Sequence, residues 1–442
     1  MLPELIEIVP LTSPLRAEIT VPGSKSITNR ALVLAALAEG ETVLERTLWS
    51  EDTQVMVECL QELGWMVNVN PDPHEACNRS ITVYGLGGHV PRGGTATQPL
   101  ELFVGNAGTA ARFLSALVSL GEGVYRLHGV PRMHERPQAA LFQALHQLGY
   151  HIEAPQDKLP ALIHGAGARA GKCQVSIAES SQFASALLLC AKRGGWSVEV
   201  TGENAEESPY VAMTSKLIAR FPKFGKFEIE PDTSSGSYFL AVNMIWGSES
   251  GSPSSEGTRE VRAAAAPPLA VEVSNWPKTG WQMDQAFIDY LTLPEQVSRL
   301  TDLGDSIMTA IVMAPLQTHA TRFTELGRLR LQECERVAAL RAELTRCGAD
   351  GREEDDTLTV FPSRAALHGA EIETYNDHRI AMCFAILGLK VPGIKIKNPS
   401  CVKKTFPNFF QKLAAAPPAG LGATILEGRS GRPLAAKELF AE

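Results

Sequence analysis

The stretch VPGSKSITNRALVLAALAEG, Val21–Gly40, decides how the fold is read. A strand-like end runs into Pro-Gly-Ser and then into a helix of small and branched apolar residues. The helix opens on Lys25, Ser26 and Arg30, in a chain whose formal net charge is -8. A solvated helix start would account for these residues, and so would a site that holds an anion. A helix N-terminus offers free N–H groups and the positive end of the helix dipole, which suit phosphate or carboxylate.

The same pattern recurs along the chain. A polar or glycine-rich turn leads into an apolar helix in PGSKSITNRALVLAAL, GNAGTAARFLSALVSL, ESSQFASALLLCA, PDTSSGSYFLAVNMI, GDSIMTAIVMAP and YNDHRIAMCFAILGL. The spacing is roughly 50 to 80 residues, wider than a solenoid period. Each opening is followed by a second segment with apolar residues at helical steps, as in EDTQVMVECLQELG, MDQAFIDYL, ECERVAALRAELTRCG and KTFPNFFQKLAAA. Gly64, Gly149 and Gly348 are placed to end such helices in a left-handed conformation. β-rich pieces such as CQVSIA, SVEVTG and TLTVFP lie between. The expected fold class is α+β: six units, each too small for its own core, packed three and three with the first helices inside.

Composition narrows the function. A chain of 442 residues, 44% hydrophobic, implies two or three domains. The acidic balance argues against nucleic acid or a membrane surface, so local cations must catch any anion. The eight cysteines show no C-x-x-C and no Cys/His metal spacing, which reads as free thiols in a reducing cytosol. MLPELIEIVP has neither a basic n-region nor a long apolar h-region, so no signal peptide is expected. No P-loop, G-x-G-x-x-G at a strand–helix junction or G-x-S-x-G elbow appears. GSESGSPSSEGTREVRAAAAPPLA, about 247–270, reads as a flexible insertion. The tail after Pro417 reads as peripheral.

The openings carry cations: Lys25, Arg30, Arg112, Arg132 and Arg136, Arg336, Arg379 and Lys404. Arginine forks match carboxylate and phosphate, whereas lysine acts as a point charge. Taken singly, each residue has a plainer reading. Ser24 or Ser26, and Ser180-Ser181-Gln182, could be helix caps. Gly105 and Gly108 could be turn residues, Arg132 and Arg136 a solvated pair, and His378 a packed imidazole. Glu333 and Arg336 could be routine i,i+3 partners. Their joint placement at the repeat openings favours a site. Asp305, Glu333, Asp377 and His378 are the candidate acids and bases for proton transfer between two anionic substrates.

Six motifs, in order from Ile6 to Phe410, carry a resemblance: PGSKSITNRALVLAAL, LFVGNAGTAARFL, PRMHERP, SSQFASALL, TYNDHRIAMCF and KKTFP. Together they resemble the 5-enolpyruvylshikimate-3-phosphate synthases of the enolpyruvyl transferase family. The resemblance implies two lobes of three βαβαββ units around an interdomain cleft. One lobe would be 1–22 plus 235–442, the other 23–234. It implies transfer of the enolpyruvyl group of phosphoenolpyruvate to the 5-hydroxyl of shikimate 3-phosphate, through a tetrahedral intermediate that expels phosphate. That step belongs to chorismate and aromatic amino-acid biosynthesis. It implies no metal or organic cofactor, and a monomer in the cytoplasm.

Residue roles follow from the same resemblance. Lys25 would touch both substrates and assist proton transfer. Ser26 and Arg30 would hold the shikimate carboxylate. Ser180, Ser181, Gln182 and Tyr210 would line the shikimate 3-phosphate site. Gly108, Arg136, Gln182, Arg336, Arg379 and Lys404 would cradle phosphoenolpyruvate. Asp305 would be the base on the 5-hydroxyl, and Glu333 would exchange protons at the methylene. The chain departs from the family pattern at Gln332, where lysine is usual, and at Arg328, where asparagine is. Glu207 stands in place of a serine, Phe113 in place of a proline, and the fourth unit is short between Leu291 and Thr301. The sister UDP-N-acetylglucosamine enolpyruvyl transferase is the nearest alternative, but PRMHERP lacks its reactive cysteine. A non-catalytic phospho-ligand binder is the other alternative.

Overall fold

The first opening becomes a helix over Lys25–Leu37 that is buried along most of its length. This is seen in the computed structural model, which describes residues 2–202, 208–246 and 270–442. The second opening, Gly108–Ser119, is buried at every position, as are Ile307–Met313 and His378–Gly388. Gln182–Gly194 and Thr233–Leu240 complete the set. Alanines and β-branched residues on all faces leave these helices no side for water, which makes them interior. Each buried leucine or isoleucine among them contributes about 1.5–3 kcal/mol relative to exposure. Glu207 and, except for Ala270, the stretch 247–270 lie outside the described residues.

The chain divides into two compact units. One comprises Met1–Val21, Thr233–Lys278 and Met283–Glu442; the other comprises Pro22–Asp232 and Thr279–Gln282. Each has its own hydrophobic core. Among the described residues each unit contains two four-stranded sheets and one two-stranded sheet. This is the two-lobed α+β architecture expected from the six openings.

Both units close on themselves. In the second unit the last strand, Gly225–Glu228, pairs in parallel with Glu39–Leu48 of the first sheet. In the first unit the N-terminal strand Leu5–Ile8 pairs with Ile394–Lys397 and Ile425–Glu427. The chain enters and leaves the second unit side by side. Ser24 N–H donates to the Glu230 carbonyl at 2.8 Å and Asp232 N–H to the Pro22 carbonyl at 2.9 Å. Gly23 is required there, because a Cβ would stand 1.9 Å from the Arg46 carbonyl oxygen.

The second helices include Glu51–Glu62, Ala139–Gln147, Pro209–Arg220 and Arg336–Arg346. Gly64, Gly149 and Gly348 follow three of them with φ of +95°, +83° and +83°, as their placement predicts. Two segments differ from the amphipathic α-helix read in the sequence. Met283–Tyr290 winds as a 3₁₀ helix, with its Gln285 carbonyl engaged by the Trp276 indole at 3.0 Å. KTFPNFFQKLAAA keeps only a short helix, Phe409–Ala414. Pro407 resists helical continuation, and Phe406, Phe409 and Phe410 are wholly buried against one another and Phe239.

Candidate active site

In the second unit, three helix starts have N-cap residues whose own side chains make no cap bond, although the Gln182 N–H donates to Ser180 Oγ at 3.2 Å. Ser24, Ala107 and Ser181 occupy the N-cap positions of the Lys25, Gly108 and Gln182 helices, and none makes a side-chain cap bond. The reading of Ser24 as a cap therefore fails. Ser26, one residue inside the helix, gives its carbonyl to Arg30 instead. The Lys25 N–H is met by Asp232 Oδ2 at 3.3 Å. Lys25 Nζ lies 3.1 Å from Asp52 Oδ2, an almost fully buried carboxylate at the start of the next helix.

Arg30 is the centre of this unit's polar interior. Only 1% exposed, its guanidinium donates to Thr214 Oγ1 at 2.7 Å, to the Ser26 carbonyl at 2.8 Å and to Ser185 Oγ at 3.0 Å. Every one of these partners is neutral. Among the described residues no carboxylate lies within ion-pair distance of it, and burial lowers its pKa to about 10. Thr214 sits one turn beyond Tyr210 and donates to that residue's carbonyl at 2.8 Å. Ser180 and Gln182 are half-buried and Ser181 is buried, at the start of the helix that also carries Ser185. The Phe113 ring, at the position where proline is usual, lies 5.2 Å from the Arg30 guanidinium.

Two further guanidiniums converge on Gly108. A Cβ there would stand 2.7 Å from Arg112 Nη1 and 2.8 Å from Arg136 Nη2. The missing side chain is thus space for arginine, and a methyl would push both guanidiniums aside. Arg136 also donates to the Asn106 carbonyl at 3.2 Å, and Arg112 to the Pro137 carbonyl at 2.8 Å. Arg132 does not join them. It is half-buried and pairs with Glu135 at 2.6 Å, while Arg136 is buried, so the plainer reading of Arg132 and Arg136 as a solvated pair does not hold.

The first unit holds a network of alternating charge. Asp305 is flanked by Arg299 at 3.0 Å and Arg379 at 3.0 Å. Burial works to raise the pKa of its carboxyl. The guanidiniums of Arg379, Arg299 and Arg336 outweigh that and hold it below the usual carboxylate range. Glu333 lies 2.8 Å from Arg336 and 3.7 Å from Lys404. Arg336, 1% exposed, is gripped by Asp377 at 2.7 and 3.2 Å. Burial alone would lower the Arg336 pKa, but Asp377, Glu333 and Asp305 raise it. Arg336 also donates to Gln332 Oε1, so the glutamine at this departure accepts a hydrogen bond where lysine would add charge. Arg328, the neighbouring departure, has its pKa lowered by burial and then by Arg299.

Asp377 has a structural task. Wholly buried, it binds Arg336 and caps the next helix through the Arg379 N–H at 2.9 Å. It thereby ties the Arg336 guanidinium and the Arg379 backbone to one carboxylate. Arg379 also donates to the Tyr238 hydroxyl at 3.3 Å. Asp284 accepts from Gly304 N–H at 2.7 Å and from Ser306 Oγ at 2.7 Å, shaping the turn that carries Asp305.

The sequence pointed to the cations and to the candidate carboxylates Asp305, Glu333 and Asp377. It missed the groups that hold them: Asp52, Ser185, Thr214, Arg299 and Asp284. Some partners lie far off in sequence, as with Arg30 and Thr214 at a separation of 184, while Arg299 is six residues from Asp305 with no pattern to mark the pair. Only Asp377, inside NDHR, carried a local signal.

The chain matches the sequence model of the EPSP synthase (3-phosphoshikimate 1-carboxyvinyltransferase) family over residues 9–223 and 222–413. It is 37% identical to a 3-phosphoshikimate 1-carboxyvinyltransferase of Opitutus terrae, covering 93% of this chain and 97% of that one. It is 35% identical to one of Nostoc punctiforme, covering 92% and 98%. Among solved structures it is similar to the EPSP synthase of Acinetobacter baumannii, with a TM-score of 0.67 at 21% identity over 96% of this chain and 100% of that one. The enolpyruvyl transferase NikO of Streptomyces tendae matches with a TM-score of 0.64 at 15% identity, over 95% and 98%. At such identities the structures speak for the fold alone, whereas the family model and the sequence relatives carry the assignment. The chain is an enzyme of the EPSP synthase family.

Proposed function

We propose that the chain transfers the enolpyruvyl group of phosphoenolpyruvate to the 5-hydroxyl of shikimate 3-phosphate, releasing phosphate. Ser26 and Arg30 hold the shikimate carboxylate, while Ser180, Ser181, Gln182 and Tyr210 hold its phosphate and ring. Gly108, Arg136, Gln182, Arg336, Arg379 and Lys404 hold phosphoenolpyruvate, and Lys25 serves both anions. Glu333 gives a proton to the methylene carbon and the 5-oxygen attacks the neighbouring carbon. Asp305 takes the hydroxyl proton. The tetrahedral intermediate then expels phosphate as Glu333 removes a methyl proton, which regenerates the double bond.

The observation that carries this reading is the alternation of charge in the first unit. Both carboxylates assigned to proton transfer are paired with cations assigned to substrate: Asp305 with Arg379, and Glu333 with Arg336 and Lys404. Substrate anions that take these cations leave Asp305 and Glu333 less neutralised and more basic at the moment of reaction. In the second unit, Arg30 with its neutral partners is a cation ready for a carboxylate. The working form is proposed to be a cytoplasmic monomer. Among the described residues no helix is long and apolar enough to cross a membrane, and all eight cysteines are free.

Mixing phosphoenolpyruvate with shikimate 3-phosphate should release inorganic phosphate catalytically. Binding of both without phosphate release would favour a non-catalytic binder. Turnover only with UDP-N-acetylglucosamine as acceptor would favour the sister activity.

A further inference from the structure

We infer that His151, Glu153 and His164 form a binding site for a divalent transition metal ion of the zinc, nickel or copper class. The three residues lie in the second unit, on the strands His151–Glu153 and Ala161–Ala166. The strands are antiparallel, and His151 stands directly opposite His164 in the register. Side chains two apart on a strand share a face, so Glu153 joins His151 on that face. The opposite face belongs to the core, where Ile152 and Ile163 are buried. On the other face His151 and Glu153 are exposed and His164 is half-buried, so the ligating face is open to solvent.

The donor atoms are already gathered. Glu153 Oε1 lies 2.7 Å from His164 Nε2 and 3.4 Å from His151 Nε2. All three ligand atoms fall within 4.8 Å of one another. A tetrahedral ion with bonds of about 2.0–2.1 Å sets neighbouring donors about 3.3 Å apart. The 3.4 Å separation fits that spacing, and the 2.7 Å hydrogen bond would open slightly as an ion replaced its proton, leaving the remaining positions to water. Two imidazoles and one carboxylate suit zinc, nickel or copper and are a poor set for magnesium or calcium. Occupancy would clip a three-residue edge strand to its neighbour.

The test is titration of the full chain with zinc chloride by calorimetry, beside the variants His151→Gln/His164→Gln and Glu153→Gln. The wild type should show a site that the double variant lacks. The single variant should bind at least about tenfold more weakly, since even an outer-sphere partner commonly contributes that much. Zinc should raise the thermal midpoint of the wild type and leave that of the double variant unmoved. Equal zinc affinity and stoichiometry in wild type and double variant would overturn the inference. So would equal binding of magnesium chloride. Folding of the variants is checked by their rate of phosphate release, and should the double variant misfold, Glu153→Gln alone decides.

Discussion

Arg30→Met should make the unliganded protein more stable and at the same time destroy its grip on shikimate 3-phosphate. Arg30 is a buried cation held only by neutral oxygens. Burial lowers its pKa from the ordinary arginine range to about 10. At 1.36 kcal/mol per pKa unit, keeping it charged costs the folded state about 3 kcal/mol. The sign follows from linkage. A depressed basic group destabilises fully below its folded pKa, and relief comes only as pH rises through about 10, so the whole cost acts at pH 7. The contact with Phe113 offsets about 0.5–2 kcal/mol of it. Removing the guanidinium strands few polar groups. Ser185 and Thr214 already bond each other at 2.8 Å, and Thr214 donates to the Tyr210 carbonyl. Methionine fills most of the volume without charge. The net expectation is a gain of about 1–2.5 kcal/mol, or roughly 2–10 °C in the midpoint of a unit of this size. Losing a buried partner of a carboxylate costs about 2–5 kcal/mol of binding, so affinity should fall thirtyfold or more, as an order of magnitude. Calorimetric melting and titration with shikimate 3-phosphate measure both. A variant destabilised by more than about 1 kcal/mol would mean that Arg30 is structural. Retained affinity would refute its role as the carboxylate ligand.

Three other changes probe the remaining parts. Lys25→Ala removes a charge proposed to serve both substrates and should cut turnover by well over tenfold; near-normal phosphate release would rule that role out. Arg299→Met removes one of the guanidiniums that hold Asp305 low. In the wild type, the stability Asp305 contributes is present above about pH 3.9 and lost as pH falls through its depressed folded value. In the variant that loss, and the acid limb of kcat/KM, should move to higher pH; an unmoved limb in a pH–rate profile would count against the pairing. Asp377→Asn keeps a helix cap but leaves the buried Arg336 without its closest carboxylate. Urea unfolding should show a loss of about 3 kcal/mol, and a loss below about 1 kcal/mol would mean that Glu333 alone compensates.

The sequence by itself determined a great deal. Its six apolar openings dictated six interior helices, because residues without a polar face cannot sit at a surface. Three helix ends were legible because Gly64, Gly149 and Gly348 tolerate a positive φ that other residues resist. Lys25, Arg30, Arg336 and Arg379 were legible as cations at polar turns. Tertiary structure decided what those charges do. It sorted Arg136, buried against Gly108, from Arg132, paired with Glu135. It showed that Ser24 caps nothing and that Asp377 is a clamp. It also brought His151, Glu153 and His164 together, through a strand register that no local pattern encodes. The reason is physical. Burial and backbone conformation follow from a residue and its near neighbours along the chain. The state and role of a charge depend on the groups within a few ångströms, and here most of those come from distant parts of the sequence.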